Sequence, residues 1–237
     1  MDIFSSLAII TLSAIIHASF QLSVSVLMLL SGHSLGKKQT NIKIMRRTTS
    51  FVIGASIMTL LLLSSTSTLL LGIFGYNTPQ IVWSIVCGLS VGVAVSIWLF
   101  YYKHEKGTTI WIPRGIANYL NQRTKLTDSS AEAFGLGLSS VIAEILFIIA
   151  PLLMSALVLV QLSPEWQLLG LFVYVIVSML PLIFVWSLVG GGHSLGKIQK
   201  WREDNKHFLQ FIAGTGLIVL AGFVYVNEIL CNISGVL

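Results

Sequence analysis

Six long apolar runs constrain this chain more than any other feature of its sequence. A transmembrane helix needs about 20 consecutive apolar residues, and each run meets that length. Charged residues make up 10% of the chain and the mean hydropathy is +0.87, against roughly 25% charge in a soluble domain. We therefore predict an all-α, polytopic membrane bundle of six transmembrane helices in one domain, 1–237, and exclude disorder, a coiled coil and a nucleic-acid-binding domain. The runs are Ile3 to Leu30, Ser50 to Phe74, Pro79 to Tyr102, Ala131 to Gln161, Trp166 to Val189 and Phe208 to Leu230.

The basic residues alternate with the runs in a way that predicts an orientation. All 14 Lys and Arg residues lie in the segments after runs one, three and five. By the positive-inside rule these three loops face the cytoplasm and both termini face outside, in the cytoplasmic membrane. The first run has no positive residue before it and is too long for a signal peptide, so we expect a retained span. The net charge of +5 then needs no nucleic acid as partner.

Two runs are longer than a bilayer requires. Ile3 to Leu30 at about 1.5 Å per residue exceeds the hydrocarbon core of about 30 Å, and so does the fourth run. We expect both helices to tilt strongly or to break, with Pro151 inviting a kink in the fourth. The segment 109–126 has helical amphipathic spacing and predicts an interfacial helix on the cytoplasmic surface.

An internal repeat relates the two ends of the chain at an offset of 160 residues. Gly32-His33-Ser34-Leu35-Gly36-Lys37 recurs as Gly192-His193-Ser194-Leu195-Gly196-Lys197. The match extends over 31–60 and 191–220 and includes Phe51 with Phe211 and Gly54 with Gly214. We interpret it as a duplicated hairpin, with spans one and two related to spans five and six by a two-fold axis along the membrane normal.

The repeated motif has several chemical interpretations. Gly-His-Ser-Leu-Gly fits the letters of a nucleophile elbow, and its flanks approach a phosphate-binding loop, but both need a strand before the motif. We reject both because each copy follows an apolar helix. Two alternatives stay open: helix C-terminal caps, or an inner-mouth site for an anion, a lipid phosphate, a metal or a proton. The residues of that site would be His33, Lys37, His193 and Lys197.

Polar residues inside spans one and four predict a buried site. Glu144 lies near the middle of the fourth run, where an ionisable group marks a pathway or a partner. His17, Gln21 and Ser25 follow one another at i, i+4 and i+8 in the first run, and His17 has a depth similar to that of Glu144. We predict a His17–Glu144 pair on a substrate or proton pathway. The alternative is a protonated Glu144 that holds helices together by hydrogen bonds.

The six spans, the basic inner loops, the polar sites in spans one and four and the closing segment Ala213-Gly214-Thr215-Gly216-Leu217-Ile218-Val219-Leu220-Ala221-Gly222 resemble the lysine-exporter superfamily. That superfamily contains amino-acid exporters, metal exporters and the membrane domain of cytochrome-c-biogenesis thiol reductases. The reductases carry cysteines in spans one and four, where this chain has His17 and Glu144, so thiol–disulfide transfer is not implied.

The resemblance implies an exporter-like membrane protein. The polar interior of spans one and four favours a transporter of a small solute or ion, with proton coupling through Glu144 and His17, and not an enzyme. No cofactor is expected. The expected partners are the lipid bilayer, the transported solute and a second copy or membrane subunit. The alternative functions are a non-transporting membrane subunit that docks a partner through the basic loops, and an intramembrane enzyme.

Overall fold

The computed structural model describes residues 2–36, 41–101, 114–191, 195, 198, 200–201 and 204–230, and within these residues it contains helices and no strand. We number the α-helices α1 to α9 in chain order. They are α1 (Ile3–Ser19), α2 (Ser23–Gly36), α3 (Asn41–Phe74), α4 (Gln80–Ser96), α5 (Arg114–Leu126), α6 (Ser130–Ala143), α7 (Ile145–Gln161), α8 (Pro164–Gly190) and α9 (Lys206–Val224). Two π-helical segments, Ile97–Tyr101 and Tyr225–Leu230, continue α4 and α9.

Among the described residues, four helices are long and apolar enough to cross a membrane: Asn41–Phe74, Gln80–Leu99, Pro164–Gly190 and His207–Leu230. Two bent pairs pass the same test when each pair is taken together. Ile3–Ser19 and Ser23–Gly32 meet at a bend of 43°, and Ser130–Ala143 and Ile145–Gln161 meet at a bend of 78°. The expectation that the first and fourth runs tilt or break is therefore confirmed, and both break.

The break in the fourth run is not at Pro151, where the sequence predicted a kink. Helix α7 continues through Pro151, and the chain bends at Glu144, which ends α6 and begins α7. A proline inside a packed membrane helix is tolerated because it removes one backbone hydrogen bond that neighbours can compensate. Nearly every residue from Leu152 to Val160 is buried, which supplies such neighbours.

One end of the bundle gathers the described basic residues. The Arg47 guanidinium lies 3.5 Å from a carboxylate oxygen of Asp128 and also donates to the Asp128 carbonyl. Trp186 Nε1, near the end of α8, donates to Thr49 Oγ1 at 2.9 Å. Helix α5 covers the described part of the predicted interfacial segment and packs on α2 and α6 with Leu120 buried. Its place at the cytoplasmic membrane surface stays a prediction. Residues 109–113 of that segment lie outside the described residues.

Small residues bring α3 and α6 into close contact. A Cβ atom on Gly54 would meet the backbone of Phe134, and one on Gly137 would meet the backbone of Phe51. The repeat partner of Gly54, Gly214, also has a close neighbour, because a Cβ there would meet the Trp98 indole. Phe51 is fully buried whereas its partner Phe211 is 51% exposed. The duplication of the hairpins stays a prediction.

Candidate functional site

The two helix breaks meet inside the bundle. The first lies at Phe20–Leu22 between α1 and α2, and the second lies at Glu144 between α6 and α7. The Phe20 and Phe147 rings stack across the junction with centroids 6.0 Å apart and planes at 23°. The second break thus places a polar side chain, that of Glu144, where the first leaves a backbone N–H without a helical partner.

Glu144 connects the two breaks through its carboxylate. Its Oε1 atom accepts hydrogen bonds from the Ser23 backbone N–H at 2.5 Å and from Ser23 Oγ at 2.7 Å. Ser23 is the first residue of α2, so the carboxylate caps the N-terminus of that helix from another span. The N-terminus of α2, which is the positive end of its helix dipole, therefore points at this carboxylate. Ser23 Oγ is also 3.1 Å from Ser140 Oγ of α6, which extends the network by one hydroxyl.

His17 lies beside the second oxygen of the same carboxylate. The predicted pairing is present: His17 Nε2 is 3.9 Å from Glu144 Oε2, and both side chains are fully buried. This distance is longer than a direct hydrogen bond and suits one bridging water. The other ring nitrogen, Nδ1, is 3.0 Å from the Tyr174 hydroxyl of α8. The ring is thus held between a hydroxyl on one side and a carboxylate on the other.

Gln21 joins the site from the first break. Its Nε2 donates to the Ser178 carbonyl at 2.7 Å, which ties the irregular segment between α1 and α2 to α8. The polar stripe does not run unbroken to Ser25, because the helix is interrupted before it and Ser25 is exposed. The predicted place of Ser25 on the pathway stays a prediction. Ser23 is the serine that contacts Glu144. The break changes the helical phase, so the i+8 position no longer shares a face with His17.

Sequence reasoning also missed the contribution of α8. Tyr174 and Ser178 are both fully buried and are spaced at i and i+4, the spacing that places two residues on one helix face. In the fifth run, whose other polar residues Gln167 and Ser187 lie near its two ends, that pair was a usable signal. The predicted role of His17, Gln21 and Glu144 as a substrate or proton pathway stays a prediction.

The predicted inner-mouth site falls largely outside the described residues. Lys37, His193 and Lys197 are not among them, and of His33 only the backbone, within the last turns of α2, is described. Within the described part of the chain no group of three or more His, Cys, Asp and Glu side chains is arranged to hold a metal ion. Cys87, a free cysteine, is buried on α4, where its Sγ donates to the Ala221 carbonyl at 3.6 Å.

The arrangement can hold and move a proton. It contains one carboxylate, one imidazole and one phenol in series: the phenol is within hydrogen-bond distance of the imidazole, and a single water can bridge the 3.9 Å between the imidazole and the carboxylate. All three side chains have zero exposure, so this conformation is closed to solvent.

Comparisons with protein-family models, with curated proteins and with solved structures found no match to this chain.

Proposed function

We propose that this chain is an exporter-like membrane transporter of a small solute or ion, resembling the lysine-exporter superfamily and driven by proton exchange at Glu144 and His17. It crosses the cytoplasmic membrane six times, with both termini outside. The bent pairs form spans one and four, and α3, α4, α8 and α9 form the other four.

One observation carries the proposal: two interrupted helices meet at their breaks around a buried carboxylate and imidazole. Interrupted membrane helices are the usual way in which secondary transporters build sites at mid-membrane depth, with helix N-termini directed at anionic groups. The N-terminus of α2 is directed in this way at Glu144. A buried ionisable pair at this depth is costly and by default marks a transport or proton pathway.

The arrangement of the described basic residues supports the orientation. The starts of α3 and α6 are joined by Arg47 and Asp128, and the end of α8 joins the start of α3 through Trp186 and Thr49. The segments that carry the basic loops therefore share one end, which the positive-inside rule assigns to the cytoplasm. The duplication of spans one and two as spans five and six is supported by the glycines at positions 54 and 214, which both face a close neighbour.

The experiment is proton flux in liposomes that contain the purified protein and a pH-sensitive dye. Amino acids and divalent cations are presented one at a time across a pH gradient. We expect at least one solute to change the proton flux with wild-type protein and with Glu144→Asp, but not with Glu144→Gln, which lacks the titratable group. Glu165→Gln, an exposed acid in the first turn of α8, is the matched control and should behave as wild type.

A non-transporting membrane subunit is the second candidate, and the closure of the site favours it. His17, Gln21, Ser23 and Glu144 are each at most 1% exposed, as in a network that only holds helices together. If Glu144→Gln keeps a solute-dependent proton flux over a range of pH, Glu144 is structural and this second function is the better one.

A further inference from the structure

Two buried serine hydroxyls differ from the other hydroxyls of the described helices. Most of those hydroxyls donate to a carbonyl one turn back, as Ser90 Oγ does to Val86 at 2.9 Å. Ser13 on α1 and Ser155 on α7 are fully buried, and neither Oγ atom has a hydrogen-bond partner among the described residues. A buried hydroxyl in this condition is usually satisfied by water or by a ligand.

The two serines lie at the same depth in the bundle. Helices α1 and α7 pack antiparallel, because Phe20 stacks on Phe147 at one level while Ile10 and Leu159 meet at Gly170 at another. Ser13 follows Ile10 by about 4.5 Å along its helix and Ser155 precedes Leu159 by about 6 Å, at about 1.5 Å per residue.

Ser13 is also directly linked to the candidate site by its position on α1. It precedes His17 by four residues and therefore shares its helix face. The two hydroxyls thus lie one turn beyond His17, on the side away from the basic end of the bundle.

Beyond the serines, two apolar side chains meet at Gly170. Ile10 Cδ1 and Leu159 Cδ2 lie 2.9 Å and 2.7 Å from the position that a Cβ atom on Gly170 would take. The ends of these two side chains therefore occupy the space next to the Gly170 Cα, and a change of rotamer would move them without moving the backbone.

A cleft of about 120 Å³ lies against the same leucine, between α3, α7 and α8. Leu159 forms part of its apolar wall. Hydroxyls of α3 and one amide of α8 form its polar wall: Ser64, Ser67, Thr68 and Gln167. The cleft is in the second half of α3, at the opposite end from Arg47.

We propose that these features are an outward hydration route to the His17–Glu144 pair. The cleft is its vestibule, Ile10 and Leu159 are its closure, and Ser13 and Ser155 hold the water that adjoins His17. When the closure opens, a hydronium proton from outside passes along this water by exchange of hydrogen bonds and protonates the carboxylate, leaving neutral water behind. The inference rests on the proposed function, since it gives that site its outer access.

The test is thiol accessibility in a chain whose own cysteines are replaced by Ala. Single cysteines are placed at Ser13, Ser155, Ser67 and Ser90, and right-side-out membrane vesicles receive a small, membrane-impermeant cationic methanethiosulfonate. Labelling is read by intact mass, and each variant must elute from a sizing column as wild type does. Ser90 is the matched control, because it is equally buried but its hydroxyl is satisfied by its own helix.

We expect Ser67→Cys to react fastest, and Ser13→Cys and Ser155→Cys to react about tenfold or more faster than Ser90→Cys, since a group outside any route reacts only through local unfolding. Adding Ile10→Ala should accelerate labelling at Ser155→Cys and leave Ser90→Cys unchanged. Labelling of both serine sites at the Ser90→Cys rate, with Ile10→Ala present or absent, overturns the route.

The labelling experiment is independent of transport, so the two proposals fail separately. Loss of proton flux in Glu144→Gln without labelling at the two serines refutes the route and leaves the transport function. Labelling at both serines together with normal flux in Glu144→Gln supports the hydration route and refutes the proton-coupled function.

Discussion

Neutralising Glu144 and truncating it should have different consequences for folding, and the comparison tests the geometry of the site. In Glu144→Gln the amide oxygen can still accept both hydrogen bonds from Ser23, and the side chain keeps its shape. In Glu144→Ala the Ser23 backbone N–H loses its acceptor inside the bundle. The Ser23 hydroxyl can turn to Ser140 Oγ, 3.1 Å away, so truncation leaves one donor unsatisfied and not two.

These contacts set the expected magnitudes. A buried donor without an acceptor costs about 1–3 kcal/mol, and the space left by the missing side chain adds a cavity term. We therefore expect Glu144→Ala to lower the free energy of unfolding by about 2–4 kcal/mol, and Glu144→Gln by at most about 1 kcal/mol. At about 2–4 °C per kcal/mol for a chain of this length, Glu144→Ala lowers Tm by roughly 4–16 °C.

The assay is thermal unfolding of purified protein in detergent, followed by tryptophan fluorescence. Trp83 is 1% exposed and reports on the loss of core packing. Glu165→Ala is the control, because that acid is exposed and should shift Tm by little. Ser23→Ala removes one hydroxyl bond to the carboxylate but keeps the backbone bond, so its Tm should lie between those of the two Glu144 variants.

Two results would refute this reasoning. If Glu144→Ala has the same Tm as the wild type, the carboxylate does not cap α2. If Glu144→Gln loses as much stability as Glu144→Ala, the negative charge stabilises the fold and the shape and hydrogen-bonding capacity of the side chain do not.

Three further predictions follow from topology and packing. In a chain whose own cysteines are replaced, a cysteine at Lys43 should react with an impermeant maleimide only after the membrane is permeabilised to give access to the cytoplasmic side. Labelling from outside would contradict the predicted orientation. Gly54→Ala should cost about 1–3 kcal/mol through overpacking against the α6 backbone, whereas Gly72→Ala, with nothing within 4 Å of the new Cβ, should be neutral or slightly stabilising. Ser129→Ala removes the capping box that Ser129 forms with Glu132 at the start of α6 and should cost about 0.5–2 kcal/mol by thermal unfolding.

The depth of a residue in a membrane helix could be predicted from the sequence alone. His17 was counted from the start of the first run and Glu144 from the start of the fourth, and these two starts are predicted to lie on opposite sides of the membrane. The two side chains meet. The count works because the helical rise is constant and the hydrocarbon core limits where each run can begin. Neither argument depends on knowing which helices are neighbours.

The direction of side chains beyond the first break could not be predicted in this way. A polar stripe at i, i+4 and i+8 assumes one unbroken helix, and the sequence around Phe20–Leu22 contains neither proline nor glycine to signal an interruption. Extrapolation through the break selected Ser25, which is exposed, instead of Ser23. The difference is one of helical phase, since a break of three residues rotates every following side chain.

The position of the second break could not be predicted from local sequence rules either. Glu is a good helix former and proline is the local helix breaker, so local rules favour interruption at Pro151, yet the chain bends at Glu144. A helix end inside a membrane leaves backbone groups without partners and persists only where something else satisfies them. The N-terminus of α2 has such a group at Ser23, and the carboxylate that accepts from it is the residue at the other break. The interruption of one span therefore stabilises the interruption of the other, and a window that contains only one of the two runs cannot reveal either.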